Sequence, residues 1–503
     1  MHYFDGNQSM FTAIDCAEGA RSMRMRESVH IANAMPQFGN DEVWMNTTFD
    51  AIIIGAGQAG PSLAARFNDA GKTVALIERD LLGGTCVNTG CTPTKALVAS
   101  AKAAQMIRLA EDMGLPRQHL SGIDLAAIQR RKDAIVAKSR QSLEKWLGGM
   151  KQCTIIHGDA RFVGPDSVIV NGDVLQAKQI FLNVGTRAAI PRLGGIDEVP
   201  YLTNSTILKL DVLPSHLVVV GGSYIGLEYA QMFRRFGSDV TIVERKSKLL
   251  SQEDADVSDA VRAILENEGI HIRTQADCIR LGMHDSQPVV HVDCHDNSPE
   301  IVASHVLLAT GRTPNTDDLW LEAAGIARDE NGFIPVNSRL ETAIPGVWAM
   351  GDCNGRGAFT HTSYNDYEIV AANLFDGGTR SVDDRIPCHA VYIDPPLAHV
   401  GMNEREVRDR GRPALIGIRP MTKVGRAVEK GESDGFMKVL ADAETKEILG
   451  ATILGTGGDE AIHCILTAMY ARKPVSLLQH SVHIHPTVAE LIPTVFGELQ
   501  PLH

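Results

Sequence analysis

The sequence predicts an α/β protein built from two Rossmann-like units in series, with a further domain behind them. Three observations carry this reading. The apolar run Ala51-Ile52-Ile53-Ile54 leads at once into Gly55-Ala56-Gly57-Gln58-Ala59-Gly60 and then into a helical pattern. The same order returns at Leu217-Val218-Val219-Val220, Gly221-Gly222-Ser223-Tyr224-Ile225-Gly226 and a helical pattern to Phe236. At 503 residues the chain is also too long for one core, and it fits about three domains of ordinary size.

Composition narrows the function class. With 44% hydrophobic and 22% charged residues the chain reads as an ordinary globular protein. A formal net charge of -13 argues against nucleic acid or an anionic membrane surface as the main partner, because either rewards a basic face. No apolar run approaches the ~20 residues that span a bilayer. Nine cysteines, an odd number scattered along the chain, suit a reducing cytoplasm and one reactive pair better than a secreted disulfide framework. Residues 1–48 form an N-terminal extension. They mix Arg21, Arg24 and Arg26 with Asp5, Asp15, Glu18 and Glu27, lack the apolar core of a secretory signal, and read as poorly ordered.

In the first unit, strand, Gly-x-Gly-x-x-Gly and helix together form a dinucleotide fingerprint. Gly55, Gly57 and Gly60 permit the tight turn and close backbone approach, and the helix N-terminus receives a pyrophosphate. A second strand, Thr73–Ile77, ends in Glu78, where an acid binds a ribose hydroxyl. The stretch Gly83-Gly84-Thr85-Cys86-Val87-Asn88-Thr89-Gly90-Cys91-Thr92-Pro93-Thr94-Lys95 follows. Its two cysteines stand at the entrance to an Ala-rich helical run beginning near Lys95. They can close a small ring if the turn brings their Cα atoms to roughly 4.4–6.8 Å. A thiolate at a helix N-terminus has a lowered pKa and is a better nucleophile, so Cys86 and Cys91 read as redox-active. Cys16, Cys153, Cys278, Cys294, Cys353, Cys388 and Cys464 are isolated and read as inert thiols.

Helical spacing covers Ala96–Ala110 and Asp124–Leu147. Ile155–Val174 alternates and turns at Asn171-Gly172, a hairpin signal, and Gln179–Arg187 is a further apolar strand. In the second unit Ser223 replaces the middle glycine, flanked by Gly221 and Gly226, and the strand Val240–Val243 ends in Glu244. A carboxylate about 4 Å from a 2′-phosphate charge costs roughly 4 kcal/mol at an effective dielectric of 20. Glu244 therefore favours NADH over NADPH, while Arg245 and Lys246 offset part of the penalty.

These motifs, in this order, resemble the class I pyridine nucleotide-disulfide oxidoreductases, the flavoprotein family of lipoamide dehydrogenase, glutathione reductase and mercuric reductase. The resemblance runs from about Phe49 to near the C-terminus. It takes in the Cys86–Lys95 stretch with Gly84 and Thr85, Ala309-Thr310-Gly311-Arg312-Thr313-Pro314-Asn315, the segment Thr342–Asp352, and His485-Pro486-Thr487-Val488-Ala489-Glu490. It implies an FAD-binding domain over 49–200, an NAD(P)-binding domain over 201–315, a return to the FAD-binding or central domain over 316–385, and an α+β dimerisation domain over 386–503. Asp352 would bind the ribityl chain of the flavin, and Gly311 lies in a cofactor-binding segment. Electrons would pass from NAD(P)H through FAD to the Cys86–Cys91 disulfide, with Cys91 the flavin-proximal charge-transfer thiol and Cys86 the interchange thiol. Lys95 and Glu228 match a pair near the flavin, and Tyr224 matches a ring that covers the nicotinamide pocket until coenzyme displaces it. His485, oriented by Glu490, would act as general acid and base on Cys86 of the partner in a homodimer; histidine suits this because its ordinary pKa lies near neutrality.

The acceptor is a small molecule that the motifs leave open. Mercuric reductases resembling this chain carry a C-terminal cysteine pair and typically a tyrosine where His485 stands. Here no cysteine follows Cys464, and no metal site is expected. Thr89, Thr92 and the run Phe359–Tyr367 resemble a mercuric-reductase-like branch that includes reactive-chlorine-resistance flavoproteins. A small disulfide such as a lipoyl group, which the His485–Glu490 pair favours because dithiol exchange needs proton transfer, stands beside a soft metal ion. An NAD(P)H oxidase, a reductase responsive to reactive oxidants or copper, and a non-enzymatic redox sensor are the alternatives.

Overall fold

The structure, a computed structural model, describes residues 46–116, 122–276, 278–292 and 300–502. The N-terminal extension through residue 45, with Cys16, and Cys294 lie outside the described residues.

The first sheet places Asn46–Ile54 between Val74–Glu78 and Asp173–Leu182, all parallel, with Cys153–His157 and Val347–Ala349 extending it in parallel. The antiparallel strands Arg161–Gly164 and Ser167–Val170 complete it. Its central strand is buried on both faces, as parallel strands under helices are: Ile52 and Ile54 enter one apolar cluster, Ala51 and Ile53 the other. That strand begins at Asn46, inside the stretch expected to be extension, because it pairs with Val174–Gln176 before the apolar run starts. The hairpin turn falls at Asn171-Gly172 as expected, both with positive φ. The strand Cys153–His157 before it joins the parallel array instead of the hairpin.

The second sheet repeats the scheme in smaller form. His271–Arg273, Asp239–Val243, His216–Val220 and His305–Leu308 run parallel. Val218 and Val220 face one cluster, Leu217 and Val219 the other. The third sheet is antiparallel, in the order Cys388–Val391, Leu397–Gly401, Ile448–Leu454, Phe436–Asp442, Ala414–Pro420 and Gln500–Pro501. The helix Gly458–Tyr470 packs on it through Ala461, Ile462 and Ile465.

Two helices join these layers. Cys91–Arg108 packs along Tyr224–Phe236 of the second unit, with Leu97 and Ala101 in one cluster with Tyr229 and Phe233. Leu125–Gly148, N-capped by Asp124, packs on its other side. The helix that begins at Cys91 thus touches both nucleotide-type units.

Candidate active site

Each central strand stops at a glycine turn, and at both turns the sequence choice is steric. A Cβ on Gly55, at φ +105°, would stand 2.2 Å from the carbonyl oxygen of Asn183; on Gly221, at φ +120°, 2.3 Å from that of Ala309. The middle position differs: a Cβ on Gly57 would make only ordinary contact, with the Asn183 side-chain nitrogen at 3.4 Å and its backbone carbonyl oxygen at 3.9 Å, and its counterpart Ser223 is exposed. Gly60 and Gly226 let the helices Ala59–Asp69 and Tyr224–Phe236 close onto the turns.

The two acids after the second strands are held alike. Glu78 accepts from the Ala56 N–H at 2.8 Å and the Asp80 N–H at 2.9 Å. Glu244 accepts from Gly222 at 2.6 Å and Lys246 at 2.8 Å. Each carboxylate is fixed beside its glycine turn. Glycines at the first and last positions of each turn, with an acid fixed beside it, match the pattern of a dinucleotide-binding turn.

The cysteine stretch is pinned to the first turn. Gly83 donates to the Ala56 carbonyl at 3.0 Å, and a Cβ on Gly84, at φ +58°, would be 2.8 Å from Gly57 Cα. Thr85, exposed, follows Gly84 in the short helix Gly84–Asn88, which carries Cys86. The chain then breaks at Gly90, and Cys91 is the first residue of an 18-residue helix. That start is one turn earlier than the alanine run indicated. Pro93 sits in the first turn, where a missing N–H costs nothing.

Cys86 and Cys91 are both free thiols and influence one another's ionisation. The hydrogen bond from Cys86, with help from the Thr360 hydroxyl and the Lys95 ammonium, lowers the Cys91 thiol to about 6 against the opposing effects of burial and Glu228. Cys86, donating to Cys91 and desolvated, moves the other way. Thr360 and Lys95 thus favour the thiolate form at Cys91. Burial pushes Cys153 up to about 11 and Cys353 to about 12, which leaves both as unreactive thiols.

Thr360, at the N-terminus of the helix Thr360–Phe375, places its hydroxyl 3.2 Å from Cys91 Sγ. One turn along from Cys91, Lys95 pairs with the buried Glu228 at 2.7 Å and lies 4.7 Å from the Tyr392 ring centroid. The Tyr392 N–H donates to Glu228 at 2.9 Å. Asp352 accepts from the Thr186 hydroxyl at 2.7 Å, which in turn accepts from Arg312 at 2.6 Å. Gly311, at φ +119°, faces open space. Tyr224 stacks 5.3 Å from His389 and 5.9 Å from Phe359.

His485 donates from Nδ1 to Glu490 at 2.9 Å; its side chain is 81% exposed and that of Glu490 16%. Among the described residues no hydrogen bond or ion pair joins His485 to Cys86 within one chain. Asp254, Asp256 and Glu404 converge closely enough to hold a cation. The Lys438 ammonium already takes that place, at 2.7, 2.7 and 2.8 Å.

Thr360, Thr186, Glu253 and His389 were not singled out from the sequence. Thr360 and Arg312 do lie inside runs that resemble the family, and those runs were the available signal. Glu253 and His389 lie in no recognisable motif.

A thiol pair beside one dinucleotide cradle, with a second cradle in series, defines a flavin-dependent disulfide oxidoreductase. Residues 49–366 match the pyridine nucleotide-disulphide oxidoreductase family and residues 388–496 its dimerisation domain; the chain belongs to this family. It is an NAD(P)H-dependent enzyme whose family cofactor is FAD. Among relatives, it is 36% identical over 458 residues to the probable pyridine nucleotide-disulfide oxidoreductase RclA of Escherichia coli, covering 89% of this chain and 99% of RclA. It is 32% identical to a mercuric reductase of Lysinibacillus sphaericus, covering 88% of this chain and 81% of that protein. The solved structure of the HOCl-induced flavoprotein disulfide reductase RclA superposes with a TM-score of 0.82 at 35% identity, covering 89% of this chain and 99% of the other. A Cu(II) complex of RclA matches equally well, at 35% identity and a TM-score of 0.82, covering 90% of this chain and 99% of the other. Among the described residues no helix is long and apolar enough to cross a membrane.

Proposed function

We propose that this enzyme takes electrons from NADH, stores them on the Cys86–Cys91 pair and delivers them from Cys86 to a small disulfide. The observation that carries the reading is the setting of the cysteine pair, with the Thr360 hydroxyl 3.2 Å from Cys91 Sγ and the Lys95–Glu228 pair one turn along the same helix. FAD, when bound, supplies the two-electron link between NADH and the cysteines. Gly55, Gly57, Gly60, Glu78, Gly84, Thr85 and Asp352 hold it. Gly221, Ser223, Gly226, Glu244 and Gly311 form the coenzyme side, where the Glu244 charge disfavours a 2′-phosphate. Tyr224 covers the nicotinamide pocket and yields to coenzyme.

The chain's own groups then divide the work. Lys95, fixed by Glu228, keeps a cation near the Cys91 thiolate and stabilises charge there. Cys86 is the nucleophile toward the acceptor, since a thiolate must attack a disulfide sulfur. His485 of the partner subunit takes and returns the proton at Cys86 Sγ. Its Nδ1 bond to Glu490 leaves Nε2 as the nitrogen for that transfer. The enzyme works as a homodimer in the cytoplasm.

A second reading, Cu(II) as acceptor, is favoured by the likeness to RclA, which has been solved as a Cu(II) complex. An anaerobic acceptor panel of lipoamide, glutathione disulfide, Cu(II) and Hg(II), followed by NADH oxidation, tests both. Turnover of a disulfide that disappears in Cys86→Ser supports the first reading; turnover of Cu(II) alone supports the second. Undiminished oxygen-dependent NADH oxidation in a Cys86→Ser/Cys91→Ser protein, with no acceptor turnover in the wild type, would sink both in favour of an oxidase.

A further inference from the structure

The ring of Tyr224 does not rest on the second unit alone. It stacks on His389, from the strand Cys388–Val391 of the C-terminal domain, at 5.3 Å and 22° between planes, and on Phe359 at 5.9 Å. His389 and Phe359 lie 5.8 Å apart at 8°, so the three rings close on one another. Beneath them is Glu253, whose side chain is only 4% exposed. One oxygen of that carboxylate, Oε1, accepts from His389 Nε2 at 2.8 Å and from the Tyr224 hydroxyl at 3.5 Å.

A buried carboxylate is costly unless donors satisfy it, and here its two donors are the tyrosine and the C-terminal domain. Burial would raise Glu253, yet the hydrogen bond and charge of His389 bring it below its ordinary value. The carboxylate's short bond, at 2.8 Å, is thus to His389, while the tyrosine hydroxyl meets the same oxygen at 3.5 Å and the ring is held mainly by its stacking on His389 and Phe359. Behind His389, His399 stacks at 5.3 Å and is itself bonded to Thr452 and Gly401. The histidine is thus backed by the third sheet.

We infer that Glu253 and His389 form a latch that holds Tyr224 over the coenzyme pocket, so that coenzyme entry is opposed by a contact reaching into the C-terminal domain. Both are positioning residues, and the inference rests on the reading of Tyr224 as the pocket cover. A ligand that must displace a favoured conformer binds more weakly by that conformer's share. Weakening the latch should tighten coenzyme binding.

The test is calorimetric binding of NAD+ to the oxidised holoenzyme, in wild type, Glu253→Gln, Tyr224→Gly and the double variant. Glu253→Gln is expected to lower Kd about fivefold, and Tyr224→Gly at least as much. In the Tyr224→Gly background Glu253→Gln should add nothing, since there is no ring left to hold. A Kd unchanged or raised by Glu253→Gln overturns the latch, as does an effect that survives in full without the tyrosine. If Glu253→Gln does not fold, His389→Gln takes its place in the same cycle with the same expectations. A wild-type holoenzyme that binds no NAD+ removes the coenzyme reading itself, and the latch with it.

Discussion

Three groups converge on the sulfur of Cys91: the Cys86 thiol, the Thr360 hydroxyl and the Lys95 ammonium. Of these, Thr360 can be replaced by the near-isosteric valine, which removes its hydroxyl alone. A hydrogen bond to a charged group is worth about 1.5–3 kcal/mol, and one pKa unit corresponds to about 1.4 kcal/mol. Thr360→Val should therefore raise the Cys91 midpoint from about 6 by roughly one unit, while Thr360→Ser keeps it. The check is the pH profile of iodoacetamide labelling at Cys91 in the reduced protein, mapped by peptide mass. Labelling is fast above the midpoint, where the thiolate exists, and falls away as pH drops through it; the variant's curve lies at higher pH. Coincident curves would remove Thr360 from the site. The cysteine pair was legible in the sequence because its signal is local: two thiols, a glycine and a helix start within a few residues. Thr360 lies 269 residues from Cys91, so no spacing rule relates them, and only the fold brings them together. Glu78 and Glu244 were legible for the same local reason, standing at the end of the strand that follows a glycine turn.

The helix beginning at Cys91 is the element on which the site depends, and a network of ion pairs ties it to its neighbours. Lys102, three turns beyond Cys91, pairs with Asp394 at 3.0 Å. Asp394 also pairs with Arg235 of the helix Tyr224–Phe236 at 2.7 Å, and Arg235 pairs with Glu268 at 2.7 Å. Arg235 is only 6% exposed, so Arg235→Ala leaves two shielded carboxylates without their guanidinium. Loss of one partner of a buried pair costs about 3–5 kcal/mol. The holoenzyme should lose about 3 kcal/mol of apparent stability, read from urea unfolding followed by flavin fluorescence; a loss under about 0.5 kcal/mol, the usual limit for a surface change, would make the network incidental. At this scale the sequence was informative where periodicity is clean. The central strand of each unit was legible as an apolar run before a glycine turn, and the strand after it by the acid at its end; Cys153–His157, His271–Arg273 and His305–Leu308 were not. The third sheet was not: Phe436–Asp442 and Ile448–Leu454 are buried nearly throughout, so they lack the alternation that marks a half-exposed strand. Chain length called for a further domain, and the resemblance alone said what it was.

For the whole molecule, the proposal that His485 serves a second copy is supported by its exposed ring beside the less exposed partner Glu490. Homodimers of His485→Gln and of Cys86→Ser should each fail with the acceptor. Coexpressed, they should regain activity in the mixed dimer, where an intact Cys86 from one chain meets an intact His485 from the other. Activity that stays absent in the isolated mixed dimer would place the proton-transfer group elsewhere. The central claim, that electrons from the coenzyme come to rest on the cysteine pair with Cys91 as thiolate, is tested most directly by anaerobic titration of the yellow holoenzyme with NADH. A long-wavelength thiolate-to-flavin charge-transfer band is expected to grow with NADH in the wild type; in Cys86→Ser, which has no disulfide to reduce, it is expected before NADH is added and fades as the flavin is reduced; in Cys91→Ser it is expected at no stage. A wild-type enzyme whose flavin bleaches without that band would contradict the account.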